Sequence, residues 1–268
     1  MYEAYWGLKE KPFANTPDPR YLYQAGDAGE LFTRLLYTLD SNRGAAMLTG
    51  ESGCGKTLMA RALVQQLNPE SMEVALLTNP TWDPEGFARE VLYQLGHESP
   101  PQTRPEIMHR LHEVLYENFE AGKKTLVLID EGQLIADPAV FEEIRLMLNF
   151  QLNDAFLLTM LLVGQPDLAP RVKSSAPLDQ RVAARGALTA LAPEESGAYI
   201  AHRLGVAGRD EPVFSPEAVR LIHDHAEGIP RRINNLCDIA LVIGFSRKLA
   251  AIDADWMKRF IEAEAGGL

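Results

Sequence analysis

Gly50-Glu51-Ser52-Gly53-Cys54-Gly55-Lys56-Thr57 is the stretch on which the fold turns. It fits the spacing G-x-x-x-x-G-K-[ST], a loop that wraps phosphate groups. An apolar run, Gly44-Ala45-Ala46-Met47-Leu48-Thr49, precedes it and reads as a buried strand. An amphipathic run from Leu58 to Leu67 follows and reads as a helix. That strand–loop–helix context separates a phosphate site from a chance glycine-rich turn. The glycines let the backbone curl, so several N–H groups point inward at phosphate oxygens. The helix behind adds its positive N-terminal end. Gly50, Ser52, Gly53, Cys54, Gly55, Lys56, Thr57 and Leu58 are therefore the candidate nucleotide-binding residues. Lys56 is expected to reach the β- and γ-phosphates of ATP, and the Thr57 hydroxyl to ligate Mg²⁺.

Outward from the loop, strands and helices alternate. Val74 to Thr78 reads as a second strand, and Asp83-Pro84-Glu85 opens a helix with Asp as N-cap and Pro at the first position. Pro105 to Ala121 is helical, Leu126 to Glu131 is a third strand, Pro138 to Gln151 a helix, and Phe156 to Val163 a fourth strand. Such alternation predicts a parallel α/β sheet with helices on both faces. Past Leu191 the pattern changes. Pro193–Leu204, Ser215–Glu227, Arg231–Ser246 and Asp253–Ala265 all read as helices, a small helical domain appended to the α/β core.

Two carboxylates, Asp130 and Glu131, close the third strand. Ligands of open parallel sheets sit beyond the carboxyl ends of strands. Asp130 there suits a Mg²⁺ hydration shell, and Glu131 suits the activation of an attacking water. Gln165 follows the fourth strand and is placed to touch the γ-phosphate or that water, or simply to cap the strand. Arg181 and Arg185 stand four apart in a run read as helical, so they would share one face. Arginine binds phosphate bidentately, so either suits a γ-phosphate; the alternative is a surface salt bridge. Arg231, at a helix start in the C-terminal region, is a further candidate for reaching the nucleotide, or half of a solvated basic pair. His109 and His112 lack a third metal ligand and read as structural.

The chain has 268 residues and a net charge of −11. The acidic balance speaks against a surface given over to gripping nucleic acid. Two cysteines, Cys54 and Cys237, make neither a disulfide framework nor a zinc pattern, which points to a reducing compartment. No signal-peptide pattern opens the chain, and the longest strongly apolar run, Ala155 to Gly164, is too short to span a bilayer. The expected location is the cytoplasm, with a peripheral place at the inner membrane open. The aromatics Tyr2, Tyr5 and Trp6 are expected to pack on the core rather than stack on bases.

With these pieces in order, the chain resembles the AAA+ ATPases of the ExeA type. The resemblance rests on Tyr5-Trp6-Gly7-Leu8-Lys9-Glu10-Lys11-Pro12-Phe13, on Thr16 to Tyr23, and on the two nucleotide motifs. It rests also on Leu161 to Leu168, on Leu178-Asp179-Gln180-Arg181-Val182, and on Gly228-Ile229-Pro230-Arg231-Arg232 to Asp238. It implies an α/β P-loop NTPase core with a parallel sheet flanked by helices, plus a C-terminal all-helical lid. The expected boundaries are 1–191 for the nucleotide-binding domain, including an N-terminal extension 1–28, and 192–268 for the lid. The resemblance implies sensor 1 at Gln165, an arginine finger at Arg181 with Arg185 second, and sensor 2 at Arg231. It implies a homo-oligomer with ATP and Mg²⁺ at a subunit interface, and a role in assembling type II secretion, type IV pilus or polysaccharide-export machinery. Other AAA+ proteins act on DNA, so a transposition ATPase or helicase loader is the alternative. Gly132 and Leu134 depart from the group's usual Asp-Glu-Ala-Gln-Asn run. The group's longer members carry a membrane helix and a peptidoglycan-binding domain, which this chain does not reach.

Overall fold

The computed structural model describes residues 1–24, 26–153 and 155–265. The apolar runs become strands: β1 (Ala45–Gly50), β2 (Met72–Leu77), β3 (Lys124–Ile129), β4 (Leu158–Gly164) and β5 (Val182–Leu188). Among the described residues they form a five-stranded sheet in the order β2-β3-β4-β1-β5. Every neighbouring pair is parallel. All of β1 and β4 and all of β3 but Lys124 are buried. Parallel strands need crossover helices, and those helices cover the sheet's faces. The edge strands β2 and β5 mix buried with exposed positions.

Helices α1 (Gly26–Asp40), α2 (Lys56–Gln66), α3 (Pro84–Gln94), α4 (Arg104–Glu120), α5 (Pro138–Met147), α6 (Leu168–Ser174) and α7 (Ala176–Asp179) accompany the strands. Their starts are chemically marked. Asp83 accepts the Gly86 N–H at 2.6 Å before Pro84, and Asp137 accepts the Ala139 N–H at 2.9 Å before Pro138. Each cap satisfies one of the orphan donors of a first turn. Phe87 and Leu92 of α3, Ile107 and Leu111 of α4, and Ile144 and Met147 of α5 join Val127, Ile129, Met160 and Leu162 of the sheet in one apolar cluster.

Helices α8 (Pro193–Val206), α9 (Pro216–Ala226), α10 (Pro230–Ser246) and α11 (Ala254–Ala265) make up the C-terminal region. The chain divides into two compact units. One holds Gln24–Glu51 and Met59–Leu188; the other holds Met1–Tyr23, Ser52–Leu58 and the described part of Thr189–Leu268. The N-terminal stretch, expected with the α/β domain, thus belongs with the helices. The cause is its aromatic content. Tyr2, Trp6 and Phe13 are buried in the same cluster as Ile233, Leu241 and Met257. The Trp6 indole N–H donates to the Leu241 carbonyl at 2.9 Å. Burial holds the Tyr2 phenol far above its ordinary pKa, with its hydrogen bond to Asp238 adding to the effect. The buried Arg203 secures the same segment. It donates to the Pro12 carbonyl, to the Ala14 carbonyl at 2.9 Å and to the Tyr199 hydroxyl at 2.9 Å. Its guanidinium lies 4.6 Å from the Tyr21 ring centre. A charge this deeply buried is tolerable because its donors are taken up.

The run Leu178 to Arg185, expected as one helix, is not. Helix α7 stops at Asp179 and β5 starts at Val182. Its alanines favour a helix locally, but pairing with β1 prevails. Ala45 pairs with Val182 and Ala46 with Ala184, with a register shift between them. Gly186 is required inside this strand: a Cβ there would lie 2.1 Å from the Leu31 side chain of α1.

Candidate functional site

Parallel strands bring their carboxyl ends to one edge of the sheet. β1 and β4 are neighbours, with Thr49 opposite Gly164, and β3 flanks β4, with Ile129 opposite Leu162. The crossovers from β1 and β4 leave in opposite directions, toward β2 and β5, which is the topological switch that opens a crevice in α/β sheets. Gly50-Glu51, Asp130-Glu131 and Gln165 all stand along this edge, each directly at or after its strand.

The rest of the phosphate loop, from Ser52, belongs to the other unit together with the start of α10. Lys56 is the first residue of α2 and is buried. Gly53 and Gly55 have φ of 87° and 97°, a region that side chains disfavour. The Arg231 N–H donates to the Gly53 carbonyl at 3.2 Å. A Cβ on Gly53 would sit 3.0 Å from both the Arg231 Cβ and the Ile229 Cγ2. The loop backbone and the Arg231 backbone are therefore in contact, while the Arg231 side chain is exposed. Its neighbour Arg232 pairs with Glu227. Cys54 is buried within the loop.

In the α/β unit, Asp130 is buried and its Oδ1 accepts the Glu131 N–H at 2.9 Å. Glu131 sits at φ 55°, ψ 37°, left-handed backbone that costs a non-glycine residue about 1 kcal/mol or more. This residue leads into a short helical turn, Gly132–Leu134. The Gln133 amide donates to Glu131 Oε2, and its Oε1 accepts the Gln165 N–H at 3.0 Å. Glu131 and Gln165, paired by position in the sequence reading, are thus joined through a third residue that the reading passed over. Its signals were its place two residues past Glu131 and its match to the glutamine of the Asp-Glu-Ala-Gln-Asn run.

The two arginines do not share a face. Arg181, between α7 and β5, donates to the Leu148 carbonyl at 2.9 Å and to Asn149. Arg185, within β5, donates to Asp179 Oδ1 at 2.7 Å. The i, i+4 argument fails because the helix that would align them ends first. His109 lies 3.1 Å from Glu113, and His112 packs on the Phe150 ring. Among the described residues no group of three or more His, Cys, Asp or Glu could hold a metal on its own. Nor is any described helix long and apolar enough to cross a membrane.

A phosphate loop after the first strand, a carboxylate pair ending a buried parallel strand, and a helical region after the sheet define a P-loop NTPase fold of the AAA type. The AAA domain family matches residues 39–172. The chain is 37% identical over 251 residues to general secretion pathway protein A of Aeromonas hydrophila, covering 92% of this chain and 45% of that protein. It belongs to the ExeA-type family of AAA+ proteins and spans less than half the length of that relative. The Aeropyrum pernix ORC2 protein, in ADPNP–ADP complexes, superposes with a TM-score of 0.70 at 19% identity, covering 97% of this chain and 75% of that one. The Thermotoga maritima RuvB Holliday junction branch migration motor gives 0.61 at 17%, covering 91% and 72%. At these identities the two structures share the fold with this chain.

Proposed function

We propose that this chain binds and hydrolyses ATP in a homo-oligomer and acts as a motor or switch in assembling a cell-envelope complex for secretion, pilus formation or polysaccharide export. The observation that carries the chemistry is the full set of groups that ATP hydrolysis needs. A phosphate loop follows β1, and a carboxylate pair ends β3. The envelope role rests on the name of the Aeromonas relative.

The loop's backbone suits a polyphosphate. Gly53 and Gly55 take the conformations a phosphate cradle requires, and a Cβ on Gly55 would meet nothing within 4 Å. Lys56 would neutralise the β- and γ-phosphates. The Thr57 hydroxyl and the Asp130 carboxylate are the hard oxygen donors that would hold Mg²⁺, which supplies charge neutralisation on the phosphates. Glu131 takes a proton from water as the water oxygen bonds to the γ-phosphorus. The β–γ bridging oxygen leaves with ADP. Gln165, whose backbone N–H is tied to Gln133, would touch the γ-phosphate or that water. Arg231, whose N–H donates to the Gly53 carbonyl, would sense the γ-phosphate. Arg181 of a neighbouring copy is the finger, with Arg185 the second candidate.

The test has two parts. ATP turnover by the purified chain should be lost in Lys56→Ala and in Glu131→Gln, with the second still binding ATP. Glu131→Gln trapped with ATP in its native host should then retain envelope-assembly proteins. Retention of DNA with a transposase or replication protein instead would replace the envelope reading by a nucleic-acid one. The net charge of −11 weighs against that outcome.

A further inference from the structure

We propose that Gln133 is the positioning residue of the water-activating carboxylate, its amide tying Glu131 to the carboxyl end of β4. This rests on the ATP-hydrolysing reading of the site. A general base works when a third group orients it toward its proton. Glu131 needs such a group, because its left-handed backbone places it in a turn rather than on the strand. Gln133 meets that need with both ends of one side chain. Its Nε2–H donates to Glu131 Oε2, while its Oε1 accepts the backbone N–H of Gln165 at 3.0 Å. A side-chain amide suits this bridge, since it offers a donor and an acceptor two bonds apart. One carboxylate oxygen is thereby fixed, and the base works through the other.

The surroundings hold the bridge in register. The Gln133 carbonyl accepts from Arg171 Nη1 at 2.6 Å, and the Ile135 carbonyl accepts from the same guanidinium. That guanidinium is 5.3 Å from the Phe141 ring centre, so α6 and α5 clamp the turn. The space for the side chain is made by Gly164, the last residue of β4. A Cβ there would lie 2.9 Å from Gln133 Oε1. The turn also packs closely on α6: a Cβ on Gly132 would lie 3.2 Å from the Leu168 side chain.

Steady-state ATP turnover and fluorescent-nucleotide binding of the full chain test this, with wild type, Gln133→Ala, Glu131→Gln and the double variant compared. Gln133→Ala should lower kcat by roughly 10- to 100-fold, the scale of a misplaced reacting group. Its nucleotide Kd should stay within about twofold, and the double variant should be no slower than Glu131→Gln alone. Gln133→Glu guards against a folding defect. It keeps the shape and the acceptor but replaces the donor with a second carboxylate oxygen, and should lose at least as much kcat with an unchanged melting temperature. A kcat within twofold of wild type in both Gln133 variants would overturn the proposal while leaving ATP hydrolysis intact. So would an equal further loss on the Glu131→Gln background. A wild type that binds ATP without turning it over would remove both readings.

Discussion

Gly228 shows what a single missing side chain does here. It has φ 69°, and a Cβ would fall 2.2 Å from the Leu191 carbonyl oxygen, a backbone atom that cannot swing aside. Gly228→Ala should therefore destabilise the helical unit by at least about 1–3 kcal/mol, the range for strained backbone. A urea midpoint equal to that of wild type would refute this. Gly53→Ala is a milder case. It combines positive φ with two 3.0 Å contacts to the start of α10, and an ATP affinity about fivefold weaker is expected from roughly 1 kcal/mol of backbone cost. Titration with labelled nucleotide measures it. The spacing of the loop marked Gly53 as a phosphate residue. That it must also admit Ile229 and Arg231 was not legible, because those residues come from a distant part of the chain.

At the scale of elements, α8 carries a pH dependence. Burial, with the Arg203 guanidinium adding to it, holds His202 below its ordinary value of 6.5. Its Nε2 is buried without a hydrogen-bond partner. The unfolded chain therefore binds this proton more readily than the folded one. Stability should rise with pH across this window: full above 6.5 and falling as pH drops below it. His202→Gln should flatten that limb, seen by comparing urea midpoints at about pH 7.5 and 5.5; an unchanged slope would assign the limb to other groups. The N-terminal segment is a second element-scale case. Trp6 is 1% exposed and its indole is hydrogen-bonded. Trp6→Ala should cost about 3–5 kcal/mol, as large-to-small core changes do. The sequence reading placed these aromatics on a core but assigned them to the α/β domain, since nothing local says which core they enter.

For the whole molecule, the proposed trans arrangement makes a quantitative prediction. Turnover per subunit should rise with protein concentration. A mixture of Arg181→Ala and Glu131→Gln chains should recover activity that neither has alone, because each supplies what the other lacks. Activity independent of concentration, with silent mixtures, would exclude a finger from a neighbour. In the isolated chain Arg181 is engaged with Leu148 and Asn149, and the proposed finger role would require its release or redirection. A chain beginning at Gln24 tests the division into units. It removes Tyr2, Trp6, Leu8 and Phe13 from the helical cluster and the partners of Arg203. The helical unit should lose its cooperative melting transition while the α/β unit keeps its own; two unchanged transitions would contradict the assignment.

Sequence by itself determined the phosphate loop, the carboxylate pair, four strands and the four C-terminal helices. Each is written in contiguous residues: a glycine spacing, an apolar run, a proline after a capping side chain. Tertiary structure alone decided the rest. Strand β5 exists because β1 offers an edge for its alanines to pair with, against their local helical preference. Met1–Tyr23 joins the helices because its aromatics and the carbonyls of Pro12 and Ala14 complete a core and a buried arginine there. Gln133 reaches Gln165 because β3 and β4 lie side by side in the sheet. Strand pairing, core assignment and a bridge between strand ends are contacts between residues far apart in the chain, and no local pattern of side chains encodes them.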